Sequence, residues 1–145
     1  MTEHVTPPSQ SSDRSLLVRG IVGVVLAVLG NVALVVAVGA LGIAPEFRAL
    51  TVPPVAFLSV VGAVGAAVVY WLLPQFVSDA DSAFRRIASV VLVLSFVPDI
   101  ALLAFDPAAT PVGVVILMLM HVVVAAAAVW ALVYWGRSPS WASPA

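Results

Sequence analysis

The chain has no cysteine. That excludes disulfides, thiolate metal sites, iron–sulfur clusters and thiol nucleophiles. Lysine is absent too, and arginine supplies all 6 basic side chains; this reads as coding bias rather than as a functional choice. Charge of either sign is scarce, at 9% of residues against about 25% in soluble domains. So little polar surface cannot coat a globule in water. The net charge of -1 carries no information about partners, because the few charges gather at the ends of apolar runs.

Those runs fill the rest of the chain, 63% of whose 145 residues are hydrophobic. No charge lies between Arg19 and Glu46, or between Arg48 and Asp79. Ile87 to Phe105 holds one charge, Asp99, and Pro107 to Gly136 holds only a histidine, His121. A helix needs about 20 predominantly apolar residues to cross a hydrocarbon core roughly 30 Å thick. Membrane strands would alternate apolar and polar residues, and nothing here alternates. An uninterrupted apolar run satisfies its own backbone hydrogen bonds as a helix. The sequence therefore predicts an all-α membrane protein, with spans over residues 16–41, 50–73, 84–105 and 112–135. Short loops force consecutive helices to lie antiparallel and adjacent, an up-down bundle.

Around this single domain, 15–136, two polar tails are expected. Residues 1–14, with Pro7, Pro8 and a Ser-Gln-Ser-Ser run, have little to bury and read as disordered. Residues 137–145 form a short second tail. The first span follows Arg14 and Arg19 as a signal peptide would, but signal cores run only about 7–15 residues, so the span is expected to stay. Asp81 or Ser82 is the expected cap of the third span. Arg14, Arg19, Arg85, Arg86 and Arg137 fall on one side of the predicted bundle and only Arg48 on the other. The positive-inside bias then puts both termini in the cytoplasm and the protein in the cytoplasmic membrane. Tyr70, Trp71, Trp130, Tyr134 and Trp135 cluster at the same inner boundary, as interfacial aromatics do.

Lipid gives helices little hydrophobic drive to associate, so small residues that permit close approach matter. Gly23, Ala27, Gly30, Ala33, Ala37 and Ala40 recur at steps of three and four in the first span, and Ser59, Gly62 and Ala66 in the second. Packing within the bundle is the ordinary reading; a homodimer seam is the alternative.

The remaining chemistry sits in Asn31, Ser95, Pro98, Asp99 and His121. At 1.5 Å per residue, Asp99 lies roughly 10 Å and His121 roughly 15 Å below the outer surface. Ser95 is one turn deeper than Asp99 on the same face, and Asn31 falls near mid-membrane. Depth thus permits Asn31, Ser95, Asp99 and His121 to form one intramembrane polar cluster. Pro98 cannot bond the Leu94 carbonyl and leaves an acceptor beside them. An Asp at a helix centre costs about 2.5–3.5 kcal/mol on the insertion scale, so Asp99 needs a reason to be there. The plain reason is a buried Asp–His pair that fixes helix register; the sharper one is a proton, ion or small-ligand site. One His and one Asp make a poor metal site. Ser95, Asp99 and His121 are the residue types of a hydrolase triad, but no nucleophile elbow or oxyanion hole accompanies them. Arg85 and Arg86 are expected to anchor the third span, with anionic lipid headgroups as candidate contacts.

Four stretches carry a resemblance: Leu50-Thr51-Val52-Pro53, Phe84-Arg85-Arg86-Ile87, Ser95-Phe96-Val97-Pro98-Asp99 and Leu119-Met120-His121. In these, over residues 15–136, the chain resembles a family of four-span prokaryotic membrane proteins of unknown function. The resemblance implies a four-helix integral membrane protein and supplies no activity, substrate or cofactor. The expected function is therefore non-enzymatic: a structural or accessory subunit of a membrane assembly, with no cofactor and no nucleic-acid partner. Its expected surroundings are the lipid bilayer and a homo-oligomer or larger membrane complex. The alternative is a small oligomeric proton-coupled transporter or channel using the Asp99/His121 pair.

Overall fold

A peptide in hydrocarbon has no water to bond its N–H and C=O groups, so each apolar run closes its own ladder as a helix. The computed structural model describes residues 10–136. It contains α1 (Gln10–Ala40), α2 (Val52–Leu72), α3 (Ala80–Phe105) and α4 (Pro111–Val129). All 4 are long and apolar enough to cross a membrane, and they form an antiparallel bundle without strands among the described residues. α1 begins at Gln10, so residues 10–14 of the expected N-terminal tail are helical. Residues 1–9 and the expected C-terminal tail lie outside the described residues.

Each start has a local cause. Pro53 and Pro111 occupy the first turns of α2 and α4, where a missing N–H breaks no ladder bond. The Thr110 hydroxyl caps α4 by accepting from the Gly113 N–H at 3.0 Å. The cap of α3 is Asp79, whose carboxylate accepts from the Ser82 N–H at 3.0 Å. That corrects the expectation of Asp81 or Ser82, which lie inside the first turn. Only a side chain at the half-in position reaches the N–H three residues on. The far end of α4 widens into a π-helical turn, Trp130–Tyr134, whose closing bond runs from the Trp135 N–H to the Trp130 carbonyl.

α1 is the hub of the bundle. It packs on both α2 and α4, α3 is held chiefly by α4, and α2 and α3 touch little. Two apolar clusters mark the ends. One gathers Val35, Val38, Phe47, Leu50, Val55, Leu117 and Met120 at the loop joining α1 to α2. The other, where α1 begins and α4 finishes, gathers Leu73, Phe84, Ala128, Leu132 and Val133. At that terminal end α2 and α3 do meet. The Tyr70 and Phe84 rings pack edge to face, 5.1 Å apart, and the Tyr70 hydroxyl donates to Asp81 at 2.6 Å.

Small residues bring α1 onto α4. Ala27 is fully buried, and a Cβ on Gly30 would come within 2.9 Å of a Val123 methyl carbon. The buried line does not continue along Ala33, Ala37 and Ala40, which are exposed; it runs through Gly23, Ala27, Asn31, Val35 and Val38. Steps of four and a last step of three keep that line beside α4 and turn the polar Asn31 away from lipid.

Candidate functional site

Because α2 and α3 part above the Tyr70–Phe84 contact, a cleft runs between them with α4 as its floor. It encloses about 630 Å³ and is lined on α3 from Phe84 to Leu102 and on α2 from Pro54 to Val69. Its walls are Val, Leu, Ile and Ala side chains. Asn31, Ser59, Ser95, Asp99 and His121 supply the polar lining. Four of these five are the residues expected to cluster. The fifth, Ser59, was read as a packing residue.

Asn31 reaches across two neighbours. Its Nδ2 donates to Ser59 Oγ at 2.9 Å and to the Met120 carbonyl at 3.3 Å. A carbonyl only accepts, so the Met120 contact fixes which end of the amide faces it. Ser59 Oγ in turn donates to the Val55 carbonyl at 2.7 Å. Asn31 Oδ1 points away from these partners and is buried with no hydrogen bond.

Asp99 and His121 do come together. His121 Nδ1 lies 3.0 Å from Asp99 Oδ2 and also 3.0 Å from the Leu117 carbonyl one turn back on its own helix. The ring N–H is directed at the carbonyl, which leaves Asp99 Oδ2 buried without a hydrogen bond. The contact is thus a close approach of the two side chains without an aligned hydrogen bond. The two groups differ in exposure: the His121 side chain is 40% exposed and that of Asp99 8%. Ser95 spends its proton on the Leu92 carbonyl at 2.7 Å. It does not bond His121 or Asp99, so the triad residue types are not arranged as a triad. Among the described residues, no three His, Asp or Glu side chains group as metal ligands do.

Two buried oxygens without donors beside one cleft are uncommon, since roughly nine in ten buried polar groups find partners. An unsatisfied buried acceptor costs about 1–3 kcal/mol, more if charged.

The expected headgroup residues lie at the terminal end, away from the cleft's polar lining. Arg85 donates to the Tyr134 hydroxyl at 3.0 Å and to Ser82 Oγ at 3.1 Å, tying α3 to the end of α4. Arg86 is exposed beside it. Arg19 donates to the Leu132 carbonyl at 3.4 Å, in the π-helical turn.

Fold and site together define a multi-pass helical membrane protein with a polar-lined intramembrane cleft. The chain belongs to a family described as a family of unknown function (DUF6069), whose model matches residues 11–138. No curated protein and no solved structure matches it.

Proposed function

We propose that the protein is a non-enzymatic, accessory component of the cytoplasmic membrane that works by binding within the bilayer. The cleft supports this reading. It is open to lipid, its volume falls in the small-molecule range of about 300–1,000 Å³, and Ser95, Asp99 and His121 give its apolar lining a few polar groups. A non-catalytic role is supported by Ser95, whose hydroxyl is turned to its own helix and offers no nucleophile–base pair. The arginine asymmetry supports cytoplasmic termini. A homo-oligomer or a larger membrane assembly is the setting this role requires.

The test is a photo-crosslinking residue at Val91, on the cleft wall, in cells. The expected result is a defined adduct that disappears when Ala88→Phe fills the cleft. Adducts only to bulk phospholipid, unchanged by Ala88→Phe, would overturn the reading.

The 3.0 Å Asp99–His121 contact favours a second reading, proton-coupled transport by an oligomer. It requires pH-gradient-driven flux in proteoliposomes that fails in Asp99→Asn and His121→Ala. Wild-type flux in both variants would remove its basis.

A further inference from the structure

We propose that the α2–α3 cleft is a binding site for a lipophilic amine, its apolar body along the cleft and its protonated nitrogen at Asp99 and Ser95. The proposal rests on the binding reading above and names the ligand class.

Donor accounting carries it. The Asn31 amide has placed its Nδ2 on Ser59 and Met120. Ser59 has placed its proton on Val55, and Ser95 on Leu92. His121 Nδ1 is directed at Leu117. What remains toward the cleft is acceptor: the Asp99 carboxyl and the lone pairs of Ser95 Oγ, whereas Asn31 Oδ1 and Asp99 Oδ2 are closed off from it. Asp99 is 6% exposed, and His121 Nδ1, 3.0 Å from its Oδ2, is directed at the Leu117 carbonyl instead. A primary ammonium brings three N–H donors and the charge complementary to a carboxylate. A hydroxyl brings one donor, and a quaternary ammonium none.

Shape argues for an apolar body. The lining on α3 runs from Phe84 to Leu102, about 27 Å at 1.5 Å per residue. That elongated apolar lining suits an extended hydrocarbon chain lying along the cleft. A bare inorganic cation would satisfy Asp99 and leave the apolar length empty. Access is sideways from the bilayer, because the cleft opens between Leu58 and Val61 on α2 and Val91 on α3, whose side chains face outward.

The experiment uses the full chain in lipid nanodiscs and three photoreactive probes with the same dodecyl chain: a primary amine, a trimethylammonium and an alcohol. Adducts are mapped to residues by mass spectrometry. The amine is expected to label the cleft about tenfold more than either analogue, a difference of about 1.4 kcal/mol. Asp99→Asn is expected to erase that preference, and melting curves show whether the variant is folded. Ser95→Ala, which leaves the carboxyl in place, is expected to weaken amine labelling about threefold and serves if Asp99→Asn does not fold. Equal cleft labelling by all three probes, or an amine preference that survives Asp99→Asn, would overturn the amine assignment while leaving the binding reading intact. Absence of any cleft labelling sensitive to Ala88→Phe would overturn both.

Discussion

Asn31 is the residue on which three helices converge, since its amide links α1 to Ser59 on α2 and to the α4 backbone at Met120. Hydrogen bonds between membrane helices average about 0.6 kcal/mol and reach about 1.7. Ser59→Ala removes one such bond and leaves the Met120 bond in place. We expect a loss of about 0.6–1.7 kcal/mol, read by reversible unfolding in mixed micelles; an unchanged or raised stability would show that the bond contributes nothing. The depths of Asn31, Ser95, Asp99 and His121 were legible from counting along each run, and all four line one cleft. Ser59 was missed because its spacing to Gly62 and Ala66 looked like packing. A usable signal was present: Asn31 lies nine positions before the end of α1 and Ser59 seven after the start of α2. In an antiparallel hairpin that is nearly one level.

Among the helices, α3 is the least embedded, with only Phe84 and Asp99 buried. Its start therefore depends on local chemistry. The Ser82 N–H holds the Asp79 carboxyl below its usual range, with smaller help from Arg85 and Arg86. The sign follows from that depression. The cap contributes fully above the unfolded carboxylate value of about 3.9 and is lost as pH falls through the lower folded value. Amide hydrogen exchange at Ser82 and Ala83 should stay slow, relative to Asp79→Ala, down to mildly acidic pH and converge with that variant only in stronger acid. Protection equal to the variant at neutral pH would exclude a working cap. Asp81 or Ser82 was expected from sequence and Asp79 passed over, because all three are capping types and residue type alone does not rank them. The choice is settled by geometry, with Asp81 taken by the Tyr70 hydroxyl.

At the scale of the whole molecule, span number, helix class and antiparallel order were readable because apolar length and loop length determine them. Helix rotation was not. A span that is apolar all round gives no periodic face to point inward, and in lipid an outward Val costs nothing. Two consequences escaped for that reason: the buried line of α1 through Asn31 and Val35, and the separation of α2 from α3. Orientation is open to a direct test, because a chain without cysteine accepts single reporters. Under cytoplasmic termini, Glu46→Cys should react with an impermeant thiol reagent in intact cells, and Gln75→Cys only after permeabilisation. The reverse pattern would invert the topology.

A cleft that opens sideways has a further consequence, for how its occupancy is counted. Anything arriving from the bilayer is governed by its mole fraction among lipids, and its molarity in water matters only through partition. Adding empty vesicles at constant total ligand would therefore strip the site by dilution, as would detergent during extraction. On the binding reading proposed above, a weakly held occupant would be lost from this cleft during purification in excess micelles.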